Sequence, residues 1–112
     1  MAEEIERHDR GDVSVLSVPA RLDTIMSESL EETCNEIVDE GRYKVVVDCA
    51  NLEFLNSNVI RILVSFHQKA KKNGGDLKLA NVTLPVEDVL RLTKLDQVFH
   101  WYPSVDEAAA AF

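Results

Sequence analysis

Val13 to Val18, VSVLSV, alternates apolar residues with serine, the period of a strand with one face on a core and one face wet. Pro19 closes it. Glu3 to Arg7 is expected to pair with this strand across a turn at Arg10-Gly11-Asp12, giving an N-terminal hairpin. From Thr24 or Ser27 to Glu40 the apolar positions Leu30, Cys34, Ile37 and Val38 recur at helical spacing, and Gly41 follows as a stop. Lys44 to Asp48, KVVVD, is a β-branched run too continuous for a surface strand, which places it at the centre of a parallel sheet.

Asn56 to Lys72 repeats the helical pattern, with Ile60, Leu63, Val64 and His67 on one face and Ile62, Phe66 and Ala70 beside it. Its basic end and the glycines of KKNGG suit a helix C-terminus. Asp76 to Ala80, DLKLA, reads as another strand, and the helix-bearing segment between it and Lys44–Asp48 has the length of a right-handed βαβ crossover. A helix is predicted over Pro85 to Thr93 with Val86, Val89 and Leu90 inward, then a strand in QVFHWY with Phe99 and Trp101 in the core, and a last helix capped at Ser104. The order β(β)αβαβαβα, with no repeat and no linker, predicts one α/β domain: a small, mixed, mostly parallel sheet with helices packed against it.

Composition narrows the function classes. Twenty acidic against 12 basic residues give a net charge of -8, which opposes attraction to nucleic-acid backbones and anionic lipid. No apolar run approaches the roughly 18 residues of a membrane span, and MAEEIERHDR carries no signal-peptide pattern, so a cytoplasmic protein without membrane insertion is expected. Cys34 and Cys49 lack metal or redox spacing and are expected to be buried thiols, and His8, His67 and His100 are scattered. No metal and no cofactor are expected.

In open α/β sheets, sites gather in loops beyond the carboxyl ends of strands. Two such loops carry candidate chemistry: PARLDT, Pro19 to Thr24, and EFLNSN, Glu53 to Asn58. Asn56 is a good N-cap, and Ser57 and Asn58 can also cap, so the triplet can simply start a helix. The free amides of a first helical turn would equally tolerate a phosphate esterified to Ser57. Catalysis is poorly supported, because Ser57 lies in no GxSxG elbow, and Gly74-Gly75 follows a helix where a phosphate loop would precede one. A nucleotide site is therefore a weak third option. Asp23 and Asp48 could meet as paired carboxylates, although solvated or capping roles are commoner for such residues.

These segments resemble the STAS domains, and within them the stand-alone bacterial anti-sigma-factor antagonists, over nearly the whole chain. ARLDT is similar to the family's loop after the second strand, and KVVVDCANLEFLNS to its central strand and switch loop. KKNGGDLKLANVT and VLRLTKLDQVFHWYPSVDEAAAAF are similar to its closing half. The family's switch commonly reads Asp-Ser-Ser/Thr-Gly-Leu, against Asn56-Ser57-Asn58-Val59-Ile60 here. Of these, Ser57 is unchanged.

The resemblance implies a non-enzymatic partner switch. The unphosphorylated antagonist would bind an anti-sigma factor serine kinase, free a sigma factor, be inactivated by phosphorylation at Ser57, and be reset by a phosphatase. Arg21, Leu22, Asp23 and Thr24, with Asn56, Asn58, Val59 and Ile60, would form the docking face. Val59 in place of glycine is expected to put a β-branched side chain where a partner's backbone would approach. The resemblance also admits an alternative, a cytoplasmic accessory subunit of a lipid or anion transporter with no phosphorylation switch.

Overall fold

The valine run at the middle of the chain becomes the middle of the sheet. In a computed structural model, which describes residues 4–112, β4 (Lys44–Asp48) is the third of five strands. Its Val45, Val46 and Val47 are all buried, as a strand covered on both faces requires. Beside it lie β2 (Val13–Ser17) and β6 (Asp76–Ala80), both parallel to it, and the order β1-β2-β4-β6-β7 is completed by β1 (Glu6–Arg10) and β7 (Trp101–Tyr102). Only β1 runs antiparallel among these strands. A two-stranded parallel pair, β3 (Arg21–Leu22) with β5 (Phe54–Leu55), stands apart from the main sheet.

The helices are α1 (Thr24–Asp39), α2 (Ser57–Lys72), α3 (Leu84–Leu92) and α4 (Val105–Ala110). Leu16, Val45, Val47, Leu77 and Leu79 on one sheet face pack with Leu30 and Ile37 of α1, Ile62 and Phe66 of α2, and Val86 and Leu90 of α3. Val13, Val15, Val46 and Ala80 on the other face pack with Ala108 of α4. Cys34 and Cys49 are buried free thiols, and burial pushes both up to about 12, which keeps them protonated.

Four expectations are corrected. The hairpin forms, but its first strand runs to Arg10, where Glu3 to Arg7 was expected; Arg10 pairs with Val13, and Gly11, at φ +60, supplies the left-handed residue of a two-residue turn. The part of that expected strand at Glu3 lies outside the described residues. Val13–Val18 has no single wet serine face: Ser14 and Ser17, three positions apart, lie on opposite faces, and Ser14 is fully buried with its hydroxyl accepting from Arg42 Nε at 2.8 Å.

In α2 the buried stripe is Val59, Ile62, Leu63, Phe66 and Ala70, while Ile60, Val64 and His67 sit at its margin. The stripe is thus rotated by about one position from the expected face. Finally, QVFHWY is mostly not a strand. Lys94 at φ +61 ends the α3 segment, Leu95–Gln97 forms a 3-10 turn, and Phe99 is buried before β7 begins at Trp101.

Candidate functional site

A short backbone ladder welds the two candidate loops together at the carboxyl edge of the sheet. The Ala20 carbonyl accepts from the amides of Glu53 (2.8 Å) and Phe54 (3.0 Å), and the Asn56 amide donates to the Leu22 carbonyl at 3.3 Å. Arg21 pairs with Phe54 and Leu22 with Leu55 between those bonds. Two helices consequently start side by side. Asp23 caps α1 by accepting from the Met26 amide at 3.1 Å, and Asn56 caps α2 by accepting from the Val59 amide at 3.0 Å.

Ser57 is the first residue of α2 and is exposed. Among the described residues no side chain hydrogen-bonds its hydroxyl. Asn58 uses both ends of its amide: Nδ2 donates to Ser27 Oγ at 3.1 Å, while Oδ1 accepts from Arg61 Nε at 3.0 Å and Nη2 at 2.8 Å. Ser27, fully buried in α1, donates onward to the Thr24 carbonyl at 2.7 Å. Arg61 Nη2 also reaches Glu31 Oε2 at 3.4 Å. A polar seam therefore joins the first turns of α1 and α2.

Apolar groups stand around this seam. Ile25 in the first turn of α1 is 71% exposed, Phe54 of β5 40%, and Leu84 at the start of α3 74%. The α3 start is held near the loop by Thr83 Oγ1, which donates to the Leu52 carbonyl at 2.8 Å. The Arg21 guanidinium covers the Phe54 ring, 4.6 Å from its centroid. Large exposed side chains at one edge, with their polar frame already satisfied, describe a surface suited to a protein partner.

The sequence-derived residues divide by exposure. Arg21, Thr24, Ser57 and Asn58 are exposed, and Asp23, Asn56 and Ile60 are half-buried on the same edge. Leu22 and Val59 are not available for contact: they are 1% and 0% exposed, and both belong to the core. Val59 points inward because it lies on the buried stripe of α2, so its β-branched side chain does not obstruct an approaching backbone. Asp23 and Asp48 have separate duties, since Asp48 Oδ1 accepts from the Ala50 amide and from Asn81 Nδ2.

Ser27, Arg61, Ile25, Phe54 and Leu84 were not singled out from the sequence. Ile25 and Leu84 did carry a signal, as large apolar residues at helix starts and off the predicted stripes. No helix among the described residues is long and apolar enough to cross a membrane.

Comparison with known proteins shows the family. The family model described as STAS domain matches residues 4–108. The anti-sigma-F factor antagonist RsfB of Mycobacterium tuberculosis is 28% identical, with 89% of this chain and 81% of the relative covered. A crystal structure of an anti-sigma factor antagonist from Mycobacterium paratuberculosis superposes with a TM-score of 0.84 at 29% identity, covering 96% of this chain and 91% of that one. An anti-sigma-factor antagonist (STAS) domain protein from Planctomyces limnophilus gives a TM-score of 0.84 at 28% identity, covering 99% and 98%.

Proposed function

The chain belongs to the STAS domain family, and from that premise we propose that it is an anti-sigma-factor antagonist acting by partner switching, with Ser57 as the phosphoacceptor. The observation that carries this reading is an exposed hydroxyl at the first residue of α2, set on an edge that also exposes Ile25, Phe54 and Leu84. The role named for its relatives supports the same reading.

In the unmodified state the apolar residues dock on an anti-sigma factor serine kinase and the sigma factor is released. Arg21, Thr24 and Asn58 supply polar contacts at the rim, while Leu22 and Val59 hold the edge from beneath. The kinase transfers the γ-phosphoryl group of a nucleoside triphosphate to Ser57 Oγ. The new O–P bond forms as the bond to the β-phosphate breaks, the nucleoside diphosphate leaves, and the serine proton passes to a base of the kinase. The product carries roughly -1.5 to -2 additional charges on the docking edge, and desolvating them against the partner ejects it. A phosphatase restores the hydroxyl by hydrolysis.

Asn56 suits this cycle. It caps α2 as a carboxylate would but leaves the positive pole of the helix without a fixed anion, so the phosphate meets the dipole with no like charge on the cap.

The test is binding of Ser57→Ala and Ser57→Asp to the cognate anti-sigma kinase by calorimetry. Ser57→Ala should bind at least about tenfold more tightly than Ser57→Asp. Equal affinities would remove the switch.

A further inference from the structure

Arg61 is the first basic residue of α2 and lies four positions after Ser57, which puts the two side chains on one helical face, a turn apart. Its side chain is 59% exposed and free to change partners. In the unmodified protein its guanidinium is occupied by Asn58 Oδ1 and by Glu31, the latter at 3.4 Å and half-exposed. Neither is a strong competitor. Asn58 offers a neutral amide oxygen, and Glu31 offers one carboxylate charge across a solvated contact.

A phosphate on Ser57 would offer close to two charges and three acceptor oxygens, which match the planar fork of a guanidinium. We propose that Arg61 is the intramolecular counter-cation of the Ser57 phosphate, and that phosphorylation pulls it away from Asn58 and Glu31, rewiring the seam between α1 and α2. The inference rests on the reading of Ser57 as the phosphoacceptor.

The rewiring has a defined outcome. Glu31 loses its cation, the Asn58 carbonyl loses its donors, and only the bond from Asn58 Nδ2 still ties α2 to Ser27. The phosphorylated edge therefore differs from the free one in the seam as well as in charge. The guanidinium also favours the doubly charged phosphate, so the group sheds its second proton at a lower pH than an isolated phosphoserine.

The experiment installs phosphoserine at position 57 during translation, so that no kinase is needed, and follows the phosphate by phosphorus NMR as a function of pH at about 0.15 M ionic strength. Replacing Arg61→Gln should raise the second phosphate pKa by roughly 0.2–0.4 unit, the size of an i,i+4 ion pair, with Arg61→Lys falling between. Arg91→Gln, a remote charge change on α3, should leave it unmoved. The Arg61 Nε–H resonance should also shift on phosphorylation. A phosphate titration unaltered by Arg61→Gln, or altered equally by Arg91→Gln, overturns the proposal.

Kinase binding is measured on the same proteins and separates the two readings. A shifted pKa with kinase affinity indifferent to the phosphate keeps the contact and removes the switch. An unshifted pKa with lost affinity removes the contact and leaves the switch standing.

Discussion

Asn56 and Ser57 are neighbours with opposite energetic roles. The Asn56 side chain satisfies an otherwise unpaired amide at the start of α2, so Asn56→Ala should cost about 1 kcal/mol of stability in urea unfolding. The exposed hydroxyl of Ser57 holds nothing in place, and Ser57→Ala should stay within about 0.5 kcal/mol of the parent. A loss on Ser57→Ala as large as that on Asn56→Ala would show that the serine is a structural part of the helix start. The Asn56 cap was legible in the sequence because capping is local. Ser27 and the Arg61–Glu31 contact were not, because both depend on the packing of two separate helices.

Val59 shows how a helix can mislead when read one residue at a time. Beside Ser57 it resembles a site residue, yet the stripe Val59, Ile62, Leu63, Phe66, Ala70 puts it at the centre of the core. Introducing the glycine common in the family, Val59→Gly, should therefore destabilise the protein by about 2–4 kcal/mol, through lost burial and lower helix propensity. Chemical denaturation measures this directly, and a near-neutral result would mean that the first turn of α2 repacks.

The turn after α2 makes a second test. A Cβ on Gly75 would lie 1.8 Å from the Tyr43 carbonyl oxygen, whereas one on Gly74 would meet open space and face only the strain of φ +81. Gly75→Ala should cost about 3 kcal/mol or more and Gly74→Ala about 1 kcal/mol. The reverse order would refute the close approach of these segments. Strands at Lys44–Asp48 and Asp76–Ala80 and the crossover between them were legible because their apolar runs are strong and bounded. The charged edge strand ERHDR has no such pattern, and the β3–β5 pair is too short to show a period.

Two polar centres lie toward opposite ends of α2. Ser57 opens the helix at the carboxyl edge of the sheet. Beyond its other end, at the amino edge, the Asp76 carboxylate lies 3.2 Å from His67 Nε2, 3.2 Å from Lys78 Nζ and 3.6 Å from Lys71 Nζ. His67 also meets the Phe99 ring edge-on. Burial holds the imidazole below its ordinary value, and the attraction of Asp76 only partly offsets this while Lys71, His100 and Lys78 add to it. Burial pushes Asp76 up, but the Lys78 hydrogen bond and charge, the Leu77 amide and Lys71 outweigh it, so its carboxyl lies below the usual range.

For His67 the unfolded chain binds the proton more readily, so stability is complete above about pH 6.5 and is lost as pH falls from there through the folded value. For Asp76 the stability is present above about pH 3.9 and is lost as pH falls further through its folded value. Denaturant midpoints should accordingly decline from pH 7 to 5, and His67→Gln should flatten that interval while leaving the acid limb. An unchanged slope in His67→Gln would assign the decline to other groups. His67 follows Ser57 by ten residues on α2, about 15 Å along the axis and roughly two Debye lengths at physiological salt. Kinase affinity should therefore be the same in His67→Gln and the parent at pH 7, and a difference would mean that α2 transmits the state of one end to the other.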